Sequence, residues 1–165
     1  MPAHVDEDAL TDPDPWVTAQ RLAREKALAV FAIRPDALVI AGDTVVALET
    51  DQGWKQLAKP TDADDAVRML RELSDRTHTV VTGVCIVWPG GMSAFTEASR
   101  VTFRPLTDKQ IADYVATGSP LDKAGAYGLQ DASQDFIERV EGDVDNVIGL
   151  PVTRLREALQ SILKA

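Results

Sequence analysis

The stretch from Ala37 to Leu48, ALVIAGDTVVAL, constrains this chain more than any other. Its aliphatic and β-branched residues suit a strand packed on both faces. Asp43 nevertheless sits in its middle. A carboxylate inside an apolar strand is costly unless it is paired, hydrogen-bonded or on a metal. Gly42, just before it, lets another group approach the backbone. Two readings stand: the strand stops near Gly42 and Asp43 is a solvated loop residue, or the strand continues and Asp43 serves a site.

At 165 residues, with 45% hydrophobic and 26% charged, the chain has the size and composition of one globular domain over 1–165. No apolar run reaches membrane-spanning length, and the first residues, MPAHVDEDAL, are acidic where a signal peptide is basic. A single cysteine, Cys85, allows no internal disulfide and no cysteine-based metal cluster. These features predict a cytoplasmic protein. A net charge of -9 disfavours partners such as nucleic acid or an anionic membrane. A nucleotide remains open, because it needs only a local cluster of cations and a metal.

Along the chain, residues 1 to 12 read as an exposed stretch, after which Asp14 caps a helix with proline at its first position. Leu22, Ala23, Val30 and Ile33 recur at helical spacing to Ile33. Lys26 projects from that apolar stripe, either as a stem covering the core edge or as a functional cation. Thr50 to Gly53 is a hairpin-like turn and Trp54 to Leu57 a short returning strand. Thr61, with Asp64, is expected to cap the next helix, whose buried face would be Ala63, Ala66, Val67, Leu70 and Leu73. Thr79–Trp88 and Ser93–Phe103 form a hairpin about Pro89-Gly90-Gly91. Thr107 and Gln110 cap a helix that Gly118 ends. Ser119 to Asp131, SPLDKAGAYGLQD, reads as an irregular loop long enough to be functional. Residues 135–141 are expected as a strand, 142–150 as a turn, and Pro151 as the start of a terminal helix with Val152, Leu155, Leu159 and Ile162 on one face. This alternation predicts an α/β fold, a mixed twisted sheet flanked by helices.

Asp43, Thr44, Lys59, Lys123 and Gln130 each lie beside a strand end or in a Gly/Pro loop. Together they suggest an anionic ligand near a carboxylate able to hold a divalent cation or activate water. Seven blocks make the pattern more specific: REKA at 24–27, GDTVV at 42–46, KP at 59–60, LSDRTHTVVTG at 73–83, VTFRPL at 101–106, YVATGSPLDKAGAYGLQ at 114–130 and EGDVDNVIGLP at 141–151. In this order they resemble the Maf family of nucleoside triphosphate pyrophosphatases, once called septum formation inhibitors.

The resemblance implies a Maf/inosine-triphosphatase-like fold, a divalent cofactor (Mg²⁺ or Mn²⁺), a nucleoside triphosphate partner and a homodimer. It is closer to the branch acting on dTTP and UTP than to the one acting on 7-methyl-GTP. It implies Asp43 as proton acceptor or metal ligand, Thr44 and Gln130 as base-specificity residues, and Lys26, Lys59 and Lys123 as phosphate contacts. The alternative is a non-catalytic nucleotide-binding or cell-division regulator on the same fold. Two small departures are AGDTVV for the commoner GADTVV and Ala58 for the glycine of a GKP motif. A third is the lack of the family's opening strand and S-x-S-P-R-R loop. From it the chain is expected to be an N-terminally truncated product of a longer frame, with an aggregation-prone sheet edge, and to be poorly soluble or nearly inactive without the missing segment.

Overall fold

The protein is described here from a computed structural model covering residues 5–164; the first four residues of the expected exposed stretch lie outside it. Helix α1 spans Pro15–Ile33, with the Asp14 carboxylate accepting from the Trp16 N–H at 2.8 Å. Strand β1 (Val39–Thr50) runs unbroken through Gly42 and Asp43, so the carboxylate does sit within a strand. β2 (Gly53–Leu57) returns alongside it, and α2 (Ala63–Leu73) crosses to β3 (Thr77–Trp88). β4 (Gly91–Phe103), α3 (Asp108–Ala116), β5 (Ile137–Glu141), α4 (Val144–Ile148) and α5 (Val152–Lys164) complete the chain.

The α/β class holds, but the sheet is not mixed: its order is β2-β1-β3-β4-β5 and every pairing is antiparallel. The reason is topological. β2 and β3 run the same way, but β1 lies between them, so these two parallel strands never pair. Side-chain alternation then sorts the two faces. Val39, Val45, Val81, Cys85 and Val87 face α1, against Ala19, Ala23 and Ala27. Val46, Leu48, Val80, Val101 and Phe103 face α2 and α3, while Val84, Ile86 and Phe95 face α5. The α1 layer is unusually close at Gly83, where a Cβ would fall 2.2 Å from the Ala19 carbonyl oxygen.

β2 covers β1 only from Val46 to Thr50, whereas β3 pairs with it from Val39 to Ala47. The outer edge of Val39–Val45 therefore has no strand neighbour among the described residues. Asp43 and Thr44 lie on that open stretch.

Other expectations are corrected in detail. Asp62, not Thr61, caps α2 by accepting from the Asp65 N–H at 2.8 Å, and Asp65 reaches back to the Thr61 N–H at 3.0 Å. The helix starts one residue later than expected; Ala66, Leu70 and Leu73 are buried as expected, joined by Met69, while Ala63 in the first turn is exposed. β5 begins at Ile137, since 132–136 form a 3₁₀ turn on an Asp131 cap. The 142–150 turn contains α4, because the Asp143 carboxylate caps it through the Asp145 N–H at 2.9 Å. The Thr107–Gln110 capping box and the left-handed Gly118 are as expected.

Candidate functional site: a cleft around the open edge of β1

Consecutive strand residues point to opposite faces, so Asp43 and Thr44 look into opposite sides of the sheet at its open edge. Asp43 faces α1. Lys26 leans back along the helix toward it, as helical side chains do, and its ammonium donates to Asp43 Oδ1 at 2.5 Å. The same ammonium lies 2.8 Å from Glu7 Oε1. Both members of the inner pair are largely covered, with 22% of the Lys26 and 13% of the Asp43 side chain exposed. Burial pushes the Asp43 carboxyl above its usual range, and the Lys26 hydrogen bond, with a smaller pull from Lys59, only partly offsets this. Burial alone would lower the Lys26 ammonium, but its hydrogen bonds to Asp43 and Glu7 and the attraction of both carboxylates outweigh it, and the net shift is upward. Lys26 is therefore a bonded cation of the site rather than a stem covering the core.

On the other face, Thr44 Oγ1 shares a 2.9 Å hydrogen bond with Thr82 Oγ1. Thr82 in turn donates to the Asn146 carbonyl of α4 at 3.0 Å. Asn146 is fully buried and fixes α4 on the sheet by donating to the Val80 carbonyl and to Ser99 Oγ, both at 3.1 Å. The short helix thereby places Val147 and Ile148 beside Thr44.

The third component is the loop 119–131, which carries two 3₁₀ turns, Ser119–Asp122 and Ala124–Ala126. Its middle is anchored twice. Gly125 N–H donates to the Ala58 carbonyl at 3.2 Å, next to Lys59. The Tyr127 hydroxyl meets His78 Nε2 at 2.7 Å inside an aromatic cluster with Phe103. Burial holds the His78 imidazole down, at about 3, so it stays neutral. The loop's ends are tied by Asp131 Oδ2, which accepts from Tyr114 Oη and Ser119 Oγ, each at 2.7 Å.

These pieces enclose one cleft with two chambers. The first, about 310 Å³, is lined by Asp43, Thr44, Lys59, Lys123 and Gln130, with Tyr127, Leu129 and Ile148 as apolar wall. The second, about 320 Å³, holds Glu7, Lys26 and Gln56. Asp43, Thr44, Lys59 and Ala124 belong to both. The structure thus gathers all six sequence-derived candidates around β1's open edge, five in one chamber and Lys26 in the other. Each chamber is near the lower end for small-molecule sites. The cleft combines an apolar wall bearing one carboxamide with three cations.

Sequence reasoning missed Glu7, Thr82, Asp131 and the His78–Tyr127 pair. Glu7 lies in the VDED segment, but nothing local aims it at Lys26. The other contacts join residues 38 to 49 positions apart or hide within a loop, and no periodicity reports them. Among the described residues no cluster of three or more His, Cys, Asp or Glu side chains could hold a metal by itself. No helix among them is long and apolar enough to cross a membrane.

The α/β sheet, with a largely covered carboxylate and three lysines gathered in one cleft at its open strand edge, defines a class: a pocket protein with a cationic site. Within that class the chain is placed by comparison with known proteins. The family model described as Maf-like protein matches residues 1–162, and the chain belongs to the Maf family. It is 47% identical over 154 residues to the dTTP/UTP pyrophosphatase of Koribacter versatilis, covering 93% of this chain and 78% of that protein. The dTTP/UTP pyrophosphatase of a Geobacillus species is 44% identical over 154 residues, with 93% and 81% covered. That of Aquifex aeolicus is 40% identical over 162 residues, with 98% and 83% covered.

Proposed function

We propose that this protein hydrolyses dTTP and UTP to the nucleoside monophosphate and pyrophosphate. The observation that carries the reading is the convergence of Asp43, Thr44, Lys26, Lys59, Lys123 and Gln130 on one cleft in a chain 40–47% identical to proteins named dTTP/UTP pyrophosphatase. The pyrimidine sits in the first chamber, where Gln130 and Thr44 offer donors and acceptors to its polar edge and Leu129 and Ile148 cover its face. The triphosphate crosses the open edge of β1 toward Lys59 and Lys26.

Asp43 takes a proton from water as the water oxygen bonds to the α-phosphorus. The bond from that phosphorus to the bridging oxygen of the β-phosphate breaks, and its electron pair leaves with pyrophosphate. A carboxyl raised by burial is a stronger base than an exposed one, which suits the role. Lys59, Lys123 and Lys26 balance the charge growing on the leaving group; such positioned charges supply most of the help phosphoryl transfer needs.

A divalent cation fits this donor set. Asp43 and Glu7 present hard carboxylate oxygens around one cation position, held here by Lys26, and would be the residues to hold Mg²⁺ or Mn²⁺, which favour such oxygen ligands. When bound, it would supply further neutralisation of phosphate charge. A cytoplasmic setting rests on the composition of the chain with its single cysteine, and pairing of two chains on the resemblance.

The test is turnover of dTTP, UTP, GTP and 7-methyl-GTP with Mg²⁺ or Mn²⁺. The pyrimidine nucleotides should give monophosphate and pyrophosphate, and Asp43→Asn should lower kcat by about 10² or more. Orthophosphate release or a purine preference overturns the proposal. Tight dTTP binding without turnover is the outcome expected of a nucleotide-binding regulator.

A further inference from the structure

Lys123 and Gln130 line the first chamber, yet the carboxylate that closes their loop, Asp131, lines neither chamber. Taking the proposed reading of the cleft as its basis, we infer that Asp131 is a positioning residue that sets Lys123 for phosphate binding through the Ser119 hydroxyl. A serine hydroxyl has one proton to donate and lone pairs to accept with. Ser119 Oγ donates to Asp131 Oδ2 at 2.7 Å. Its lone pairs are thereby turned to the Lys123 ammonium, 3.2 Å away, which also donates to the Ser119 carbonyl at 2.8 Å and to the exposed Asp122 carboxylate at 2.7 Å. The carboxylate thus fixes the polarity of the hydroxyl.

Asp131 Oδ2 itself is 4.0 Å from Lys123 Nζ, near enough to attract it but beyond a direct hydrogen bond. Tyr114 Oη holds the same oxygen at 2.7 Å, while Oδ1 accepts from the Ser133 N–H at 2.9 Å. Burial would raise this carboxyl, but the hydrogen bonds from Ser133, Tyr114 and Ser119 together outweigh it and hold it below the usual range. These bonds favour the ionised carboxylate, the form that accepts from both hydroxyls. The lysine stem is fixed as well: a Cβ on Gly128 would fall 2.8 Å from its Cδ and Cε, so the chain lies directly on the glycine backbone. A lysine already ordered loses less freedom when phosphate arrives.

Asp131→Asn separates this role from simple capping of the following turn. Asparagine caps nearly as well as aspartate. In the arrangement that leaves its carbonyl on the Ser133 N–H, however, its NH₂ meets Tyr114 and Ser119 and cannot accept from them. The experiment measures kcat and KM for dTTP, plus calorimetric affinity for a dTTP analogue with a non-hydrolysable α,β-linkage. The variants are Asp131→Asn, Ser119→Ala, Lys123→Ala and the Asp131→Asn/Lys123→Ala pair. Asp131→Asn and Ser119→Ala should each raise KM about tenfold, the scale of a hydrogen bond to a charged group, with a much smaller change in kcat. The double variant should be no worse than Lys123→Ala alone. Independent, multiplying effects, or wild-type KM and affinity in Asp131→Asn and Ser119→Ala, overturn the inference. If Asp131→Asn does not fold, Ser119→Ala with Lys123→Ala gives the same cycle. Analogue binding without wild-type turnover would count against the proposed reaction, and the affinities would still decide this relay.

Discussion

Replacing Gly83 with alanine tests whether the contact between α1 and the sheet builds the Lys26–Asp43 side of the cleft. Gly83 is the β3 residue paired with Asp43 across the ladder. An added Cβ would meet backbone only: Ala19 O at 2.2 Å, Ala19 C at 2.5 Å and Gln20 N at 2.8 Å. Ordinary contact begins near 3.4 Å, so the helix must retreat by the difference, a little over about 1 Å, and no rotamer change relieves it. Overpacking of this kind costs about 1–3 kcal/mol, at times more. In a domain of this size that lowers Tm by roughly 2–12 °C. The same retreat draws Lys26 from Asp43, now 2.5 Å away, beyond direct hydrogen-bond reach unless the lysine stem re-extends. Urea denaturation should show the lower midpoint at unchanged m, and dTTP turnover should fall at a temperature where the variant is still folded. Wild-type stability together with wild-type turnover would refute the reasoning.

Further outcomes follow from the titrating groups. His78 ionises at about 3 in the fold against 6.5 ordinarily, so the unfolded chain binds its proton first as pH falls. Its stabilising contribution is complete above about pH 6.5 and is lost toward pH 3, at about 1.4 kcal/mol per pH unit. Denaturant midpoints of wild type and His78→Asn at pH 7 and pH 5 should show the steeper loss in wild type, and equal slopes would contradict this. In the metal-free, nucleotide-free protein, carbon NMR should find the Asp43 carboxyl above the usual range, and Lys26→Met should raise it further, because the ammonium opposes the larger effect of burial. A downward shift in that variant would mean that Lys26 does not govern Asp43.

What could be read from the sequence follows the range of the interactions involved. Helix α1 was legible because Asp14-Pro15 and the apolar spacing through Ile33 are local signals. The long strands were legible because β-branched runs need no distant partner to be recognised. Helix α4 was not, since five residues among glycine, aspartate and asparagine fill no periodic window. The wholly antiparallel sheet depends on β1 inserting between β2 and β3, which local pattern does not encode. Lys26 was ambiguous on spacing alone, and its meaning came from Asp43, 17 positions away. Five of the six candidate residues stand out by their place beside strand ends and in Gly/Pro loops, and only their roles come from the resemblance, whereas Glu7 and Asp131 emerge once the fold brings them to their lysines.

In the proposed reaction water attacks the α-phosphorus of a pyrimidine nucleoside triphosphate, so its oxygen ends in the monophosphate. Turnover of dTTP in ¹⁸O-enriched water, followed by mass spectrometry of both products, reports which phosphorus received the oxygen. Attack at the α-phosphorus places one ¹⁸O in dTMP and none in pyrophosphate. Label in pyrophosphate, or release of dTDP with labelled orthophosphate, would place the attack on another phosphorus and contradict it.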